Sequence, residues 1–222
     1  MMLFSTVYHH HKVRAAECLF RSIFEELRKS KGKIGRLSFE SAVDFLYLSD
    51  VDIYGLSKTE NTDRVKILAT DLCLRRLPKR AMVLSNKTVT TDSLRHLQKL
   101  MEMYEDPKIE RMFIEAISEV SAELGQAVSS EDIWVDMRSG PKFKEAISWP
   151  IKSLGAQDGH VRLRDIMPID DWVKAFVQNK WRGYIFTRPE LRETVHEASK
   201  LVLKKVYRIE VNEYARLLCK MD

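Results

Sequence analysis

The side chains of this sequence best suited to chemistry gather at its start. His9, His10 and His11 stand in a row, with Tyr8 before them and Lys12 and Arg14 after, and these three are half of the chain's six histidines. Adjacent imidazoles suggest a metal site, but helical geometry argues against it. Successive side chains on a helix are turned about 100° apart, so consecutive histidines cannot close on one ion. His96, His160 and His196 stand alone, and no His-Asp dipeptide occurs. A hydrolytic metal centre needs several His, Asp or Glu ligands around one ion, so none is expected within this chain. Nucleophilic catalysis fares no better, because there is no Gly-x-Ser-x-Gly elbow, and the eight glycines are too scattered for a phosphate loop. What remains is basic chemistry. Lys12 and Arg14 lie near one helix start, and Arg75-Arg76-Leu77-Pro78-Lys79-Arg80 is the densest basic run. Such groups are natural partners of phosphate, although a helix C-terminus also attracts cations through its dipole alone.

These groups need elements to hold them. From Val7 to about Leu27 the spacing of Ala15, Cys18, Leu19, Ile23 and Leu27 predicts one long helix, with Arg14, Glu17, Arg21, Glu25 and Arg28 off its apolar stripe. Ser38 offers a cap for a helix through Leu46, and Asp50 to Leu56 reads as a short helix. A further helix runs from Asp63 to Arg76 and stops before Pro78; Ala81 to Leu84 reads as a short strand. Helices are expected from Asp92 to Tyr104 and from Asp106-Pro107 to a stop at Gly125. Alternation then predicts strands at Asp132–Met137, His160–Asp165 and Trp181–Thr187, with a turn at Ser139-Gly140-Pro141 and a helix over Ile169–Gln178. Pro189 opens a helix to Val206, and Glu210 to Lys220 closes the chain helically. The expected class is mainly α with an α+β C-terminal portion: a bundle-like first half, 1–126, then 127–222 with a small antiparallel sheet and flanking helices.

The 222 residues can bury a sizeable core, and the net charge of +5 admits anionic partners without choosing among them. Cys18, Cys73 and Cys219 each sit in a helical apolar pattern, as buried reduced thiols of a cytoplasmic protein would. No apolar run approaches the ~20 residues of a membrane span, and the start lacks a signal-peptide pattern. A soluble chain with no membrane partner is expected.

Several segments resemble HD-domain phosphohydrolases, and among them the deoxynucleoside-triphosphate triphosphohydrolases. They are Val7 to Glu17, Phe45 to Asp50, Arg75 to Arg80, Glu131 to Asp136 with Ser139 to Phe143, and Trp181 to Phe186, in the family's order. The resemblance covers almost the whole chain. That family's metal ligands lie upstream of its Tyr-x-His-Lys region, so this chain is expected to be a C-terminal half, a subunit of a split enzyme or a degenerate relative. The resemblance implies that a divalent metal serves the complete enzyme and that none is held here. It also implies that His11, Lys12, Arg75 and Lys79 contact a nucleotide, with Tyr8 on the substrate side. Expected partners are a dNTP or GTP-like nucleotide and either a second copy or the HD half. A different class of reading, carried by the basic clusters, is a non-catalytic module for nucleotide or single-stranded nucleic acid, or an interaction scaffold.

Overall fold

A computed structural model describes residues 10–31, 33, 34, 37, 41–58, 60–137, 150–152, 160–162, 166, 171, 175 and 180–220. Helix α1 (His11–Ser30) begins where the His10 side chain accepts from the Lys12 amide, and it ends at Lys31 in the left-handed region with φ 52. Arg28 and Lys29 in its last turn suit the negative end of the dipole. Its buried stripe is the expected one, Ala15, Cys18, Leu19, Ile23 and Leu27, with one addition. Arg14, placed by spacing off the apolar stripe, is only 7% exposed.

Helix α2 (Asp50–Gly55) starts at Ser49, which forms a reciprocal capping box with Asp52. Helix α3 (Asp63–Cys73) is capped by the Thr62 hydroxyl and buries Val65, Leu68 and Ala69. It stops three residues short of Arg76 because Arg75 turns left-handed, with φ 55. α1 and α3 pack antiparallel. Just beyond the end of α1, the Lys33 carbonyl accepts from Asn61 Nδ2 at 2.9 Å, and Asn61 lies next to Thr62, the cap of α3. At the other end, Val13 of α1 and Leu72 of α3 line one groove.

The main sheet has the order β1-β5-β2, all antiparallel, from β1 (Lys79–Leu84), β2 (Ile133–Asp136) and β5 (Gly183–Thr187). It joins one strand from before residue 126 to two from after it. Its two faces serve two cores. Met82, Ile133, Val135 and Ile185 pack with Phe113 and Ile117 of α5 (Pro107–Glu123) and Val195 and Val202 of α6 (Arg192–Tyr207). Val83, Trp134, Tyr184 and Phe186 face Leu19 and Ile23 of α1 and Leu68 of α3, with Cys219 of α7 (Tyr214–Cys219). The register shifts between Arg80 and Met82, so Ala81 and Met82 both enter the first core. His196 Nδ1 lies 2.7 Å from the Ala81 carbonyl oxygen. A carbonyl only accepts, so Nδ1 carries the proton.

The observed architecture is the expected one, mainly α with a small antiparallel sheet and flanking helices. α4 (Leu94–Met103) and α5 appear as read, with Asp106 capping α5 and Gly125 beyond its end at φ 90. Three details differ. Ser41 caps a six-residue 3-10 helix, Ala42–Tyr47, and Ser38 lies outside the described residues. The stretch from Glu210 is not helical before Tyr214, because Val211 bridges Val89 and the Glu210 carbonyl accepts from Thr90. A second hairpin, β3 (Pro150–Lys152) with β4 (His160–Arg162), accounts for the strand expected after His160. Of the helix expected over Ile169–Gln178, Asp171 and Ala175 are described, both helical. The Ser139-Gly140-Pro141 turn and Tyr8 lie outside the described residues.

Candidate functional site

What fixes the start of α1 is an ion pair that reaches 122 residues along the chain. Arg14 Nε donates to Asp136 Oδ2 at 2.5 Å, and Nη2 donates to Oδ1 at 2.5 Å. Its third nitrogen meets Glu17 Oε2 at 2.6 Å. The Arg14 and Asp136 side chains are 9% and 7% exposed. A two-point guanidinium–carboxylate contact sets rotation as well as distance, so α1 is held in one orientation over β2. Arg21 continues the seam, donating to Glu110 Oε1 at 2.7 Å and to the Val135 carbonyl at 3.3 Å. Trp134 Nε1 donates to Ser22 Oγ at 2.9 Å.

This anchoring presents the first turn of α1 at the same end of the molecule as the C-terminus of α3. His11 and Lys12 lie in that turn, Arg75 follows α3, and Lys79 opens β1. Lys12, Arg75 and Lys79 are exposed; His11 is half-buried. Burial, then the charges of Arg80, His10, Lys12 and Lys220, push the His11 imidazole down to about 4. It is therefore neutral at pH 7, one nitrogen donating and one accepting.

Arg80, adjacent to an expected site residue, went unassigned in the sequence. Directly opposed residues on antiparallel strands share a face. Arg80 opposes Phe186, so it stands on the α1 side of the sheet, and alternation sends Lys79 to the other. Burial, then Arg182 and Arg192, lowers the Arg80 pKa against the opposing effects of Cys219 and Tyr184. Burial raises the Tyr184 phenol, and the neighbouring Arg182 and Arg80 charges oppose that rise. Arg182 and Lys220 were likewise unassigned. The one signal for Arg182 was its spacing of two from Tyr184, which places both on one strand face.

Among the described residues no group of three or more His, Cys, Asp or Glu could hold a metal ion. Cys18, Cys73 and Cys219 are free; Cys18 and Cys219 are buried and Cys73 is half-buried. Burial raises the Cys18 thiol to about 12 and Cys219 to about 11, so neither is a nucleophile at neutral pH. Beside the basic end lies an open apolar groove of about 270 Å³, walled by Val13, Ala16 and Phe20 of α1, Ile53 and Tyr54 of α2, and Leu72 of α3.

The family described as HD associated region matches residues 1–208. The chain belongs to that family. An HD associated region accompanies an HD domain. No curated protein matches this HD associated region. No helix among its described residues is long and apolar enough to cross a membrane.

Proposed function

We propose that this HD associated region is the C-terminal part of a dNTP triphosphohydrolase-like protein. It would supply one wall of the catalytic pocket, oligomer contacts and a basic nucleotide site at His11, Lys12, Arg75 and Lys79. The observation that carries the reading is the basic end itself. In support, α1 packs antiparallel on α3, so the start of α1 with His11 and Lys12 lies at the same end as the close of α3 before Arg75, and the Arg14–Asp136 pair holds the α1 turn. Lysine and arginine supply charge to phosphate oxygens, and a neutral His11 supplies a directional donor.

The donor set does not fit the divalent ion of such an enzyme, since no three described ligands converge. The ion belongs with the HD domain, and turnover requires that domain. The purified chain is expected to bind dGTP without releasing triphosphate when magnesium or manganese is added. Release of triphosphate, or dGTP binding unchanged in Lys12→Ala and Arg75→Ala variants, would overturn the reading. A single-stranded DNA titration separates the nucleic-acid alternative, because backbone binding weakens steeply with salt.

A further inference from the structure

The buried and half-buried arginines of this protein follow a pattern with one break. Arg14 meets Asp136 and Glu17, Arg21 meets Glu110, Arg64 meets Asp132, Arg188 meets Asp132 and Asp71, and Arg216 meets Glu193. Arg192 spends its donors on backbone carbonyls, with Nε to Arg80 O at 3.2 Å and Nη2 to Cys219 O. Arg80 is the exception: no described carboxylate lies within ion-pair distance of it. Asp136, which shares that sheet face, is held by Arg14.

The Cys219 thiol and the Tyr184 phenol beside Arg80 are neutral at pH 7, and the charged groups that act on it are cations. Arg182 and Arg192 act on it, and His11 feels both Arg80 and Lys220. Arg192 arranges this crowding, since one guanidinium ties the backbone of Arg80 to the end of α7 at Cys219 and Lys220. A half-buried guanidinium among like charges has a desolvation cost that no counter-charge offsets. Every other described arginine of that burial class meets an acid, except Arg192, whose donors are taken up by backbone carbonyls. The partial positive charge at the start of α1 adds to the same field.

We propose that His11, Arg80, Arg182 and Lys220 form a subsite for a phosphate-class oxyanion, set between the start of α1, the end of α7 and the α1-facing side of β1. The subsite stands on this geometry. Identifying its occupant as the phosphate end of a nucleotide rests on the nucleotide reading above. Arg80 and Lys79, neighbours on opposite faces of one strand, would then serve different contacts, which explains why the basic run at Arg75 to Arg80 is longer than a single site needs.

Calorimetric titration of the full chain with inorganic tripolyphosphate, and separately with dGTP, tests the assignment. Tripolyphosphate is expected to bind, and the Arg182→Gln/Lys220→Gln double variant to weaken it by at least about tenfold, the loss of one or more charge-assisted hydrogen bonds. Both side chains are exposed, so the variant keeps its fold, checked by an unchanged melting curve; Arg80→Gln gives an independent second measurement. The Lys108→Gln/Arg111→Gln variant, which removes two exposed cations from α5 on the opposite side of the sheet, should leave tripolyphosphate binding within about twofold of wild type. No binding of tripolyphosphate, or equal binding by wild type and the Arg182/Lys220 variant, overturns the proposal. Tripolyphosphate binding that depends on Arg182 and Lys220, with dGTP failing to bind, supports the subsite and refutes the nucleotide reading.

Discussion

Arg14 and Asp136 bury two opposite charges against each other, and the consequences of disturbing them are asymmetric. Asp136→Ala would leave the buried guanidinium only its contact with the more exposed Glu17, at a cost of about 3 kcal/mol. Replacing both together, as Arg14→Met with Asp136→Leu, removes the unpaired charge and should cost far less than either single change. Urea unfolding of the two singles and the double measures this as a coupling energy. His11 makes a second prediction, in pH. Its imidazole has an ordinary value of 6.5 and is depressed to about 4 in the folded chain. Between those values the unfolded chain binds the extra proton, so stability falls as pH drops from about 7 toward about 4. His11→Gln should flatten that part of the urea-midpoint profile; an unchanged slope would assign it to other groups. The thiols separate by environment. Iodoacetamide under native conditions is expected to label half-buried Cys73 first, since burial keeps Cys18 and Cys219 protonated.

The sheet is where individual elements are least tolerant. A Cβ on Gly183 would sit 2.9 Å from Met137 Cγ and 3.1 Å from Trp181 Cη2. Gly183→Ala should therefore destabilise by about 1–3 kcal/mol through overpacking. The bulge at Ala81 depends on a side chain from another element, as His196 Nδ1 supplies the proton for its buried carbonyl. His196→Leu would keep the volume and remove the donor, for a loss of about 1–3 kcal/mol. Thermal unfolding of both variants checks these magnitudes. Helix boundaries reflect equally local chemistry. α5 starts where Asp106 and Pro107 together provide a cap and a preset φ, whereas α3 ends early because Arg75 adopts a left-handed turn.

Across the whole molecule, the two cores share one three-stranded sheet. The portion 1–126 contributes β1 and the portion 127–222 contributes β2 and β5, so separation would leave β1 without a partner and strip β5 of one of its two. Residues 1–126 expressed alone are expected to show no cooperative unfolding transition, while the full chain shows one. Much of this organisation was legible in the residues: the stripe of α1, the Asp106-Pro107 start of α5 and the alternation at Trp134, Tyr184 and Phe186 all state their own local structure. Their periods, caps and backbone restrictions act within a few residues. The chemistry of the basic end was only half legible. His11, Lys12, Arg75 and Lys79 could be named from motif order, but Arg14 looked like a surface residue until Asp136 came to lie beside it. The grouping of Arg80, Arg182 and Lys220 with His11 had no sequence signal, because it depends on strand pairing and on Arg192 joining two backbones. By itself the sequence determined the elements and the sign of the charge; tertiary structure decided which charges are neutralised and which are left facing one another, since Coulombic partnership follows distance in space rather than along the chain.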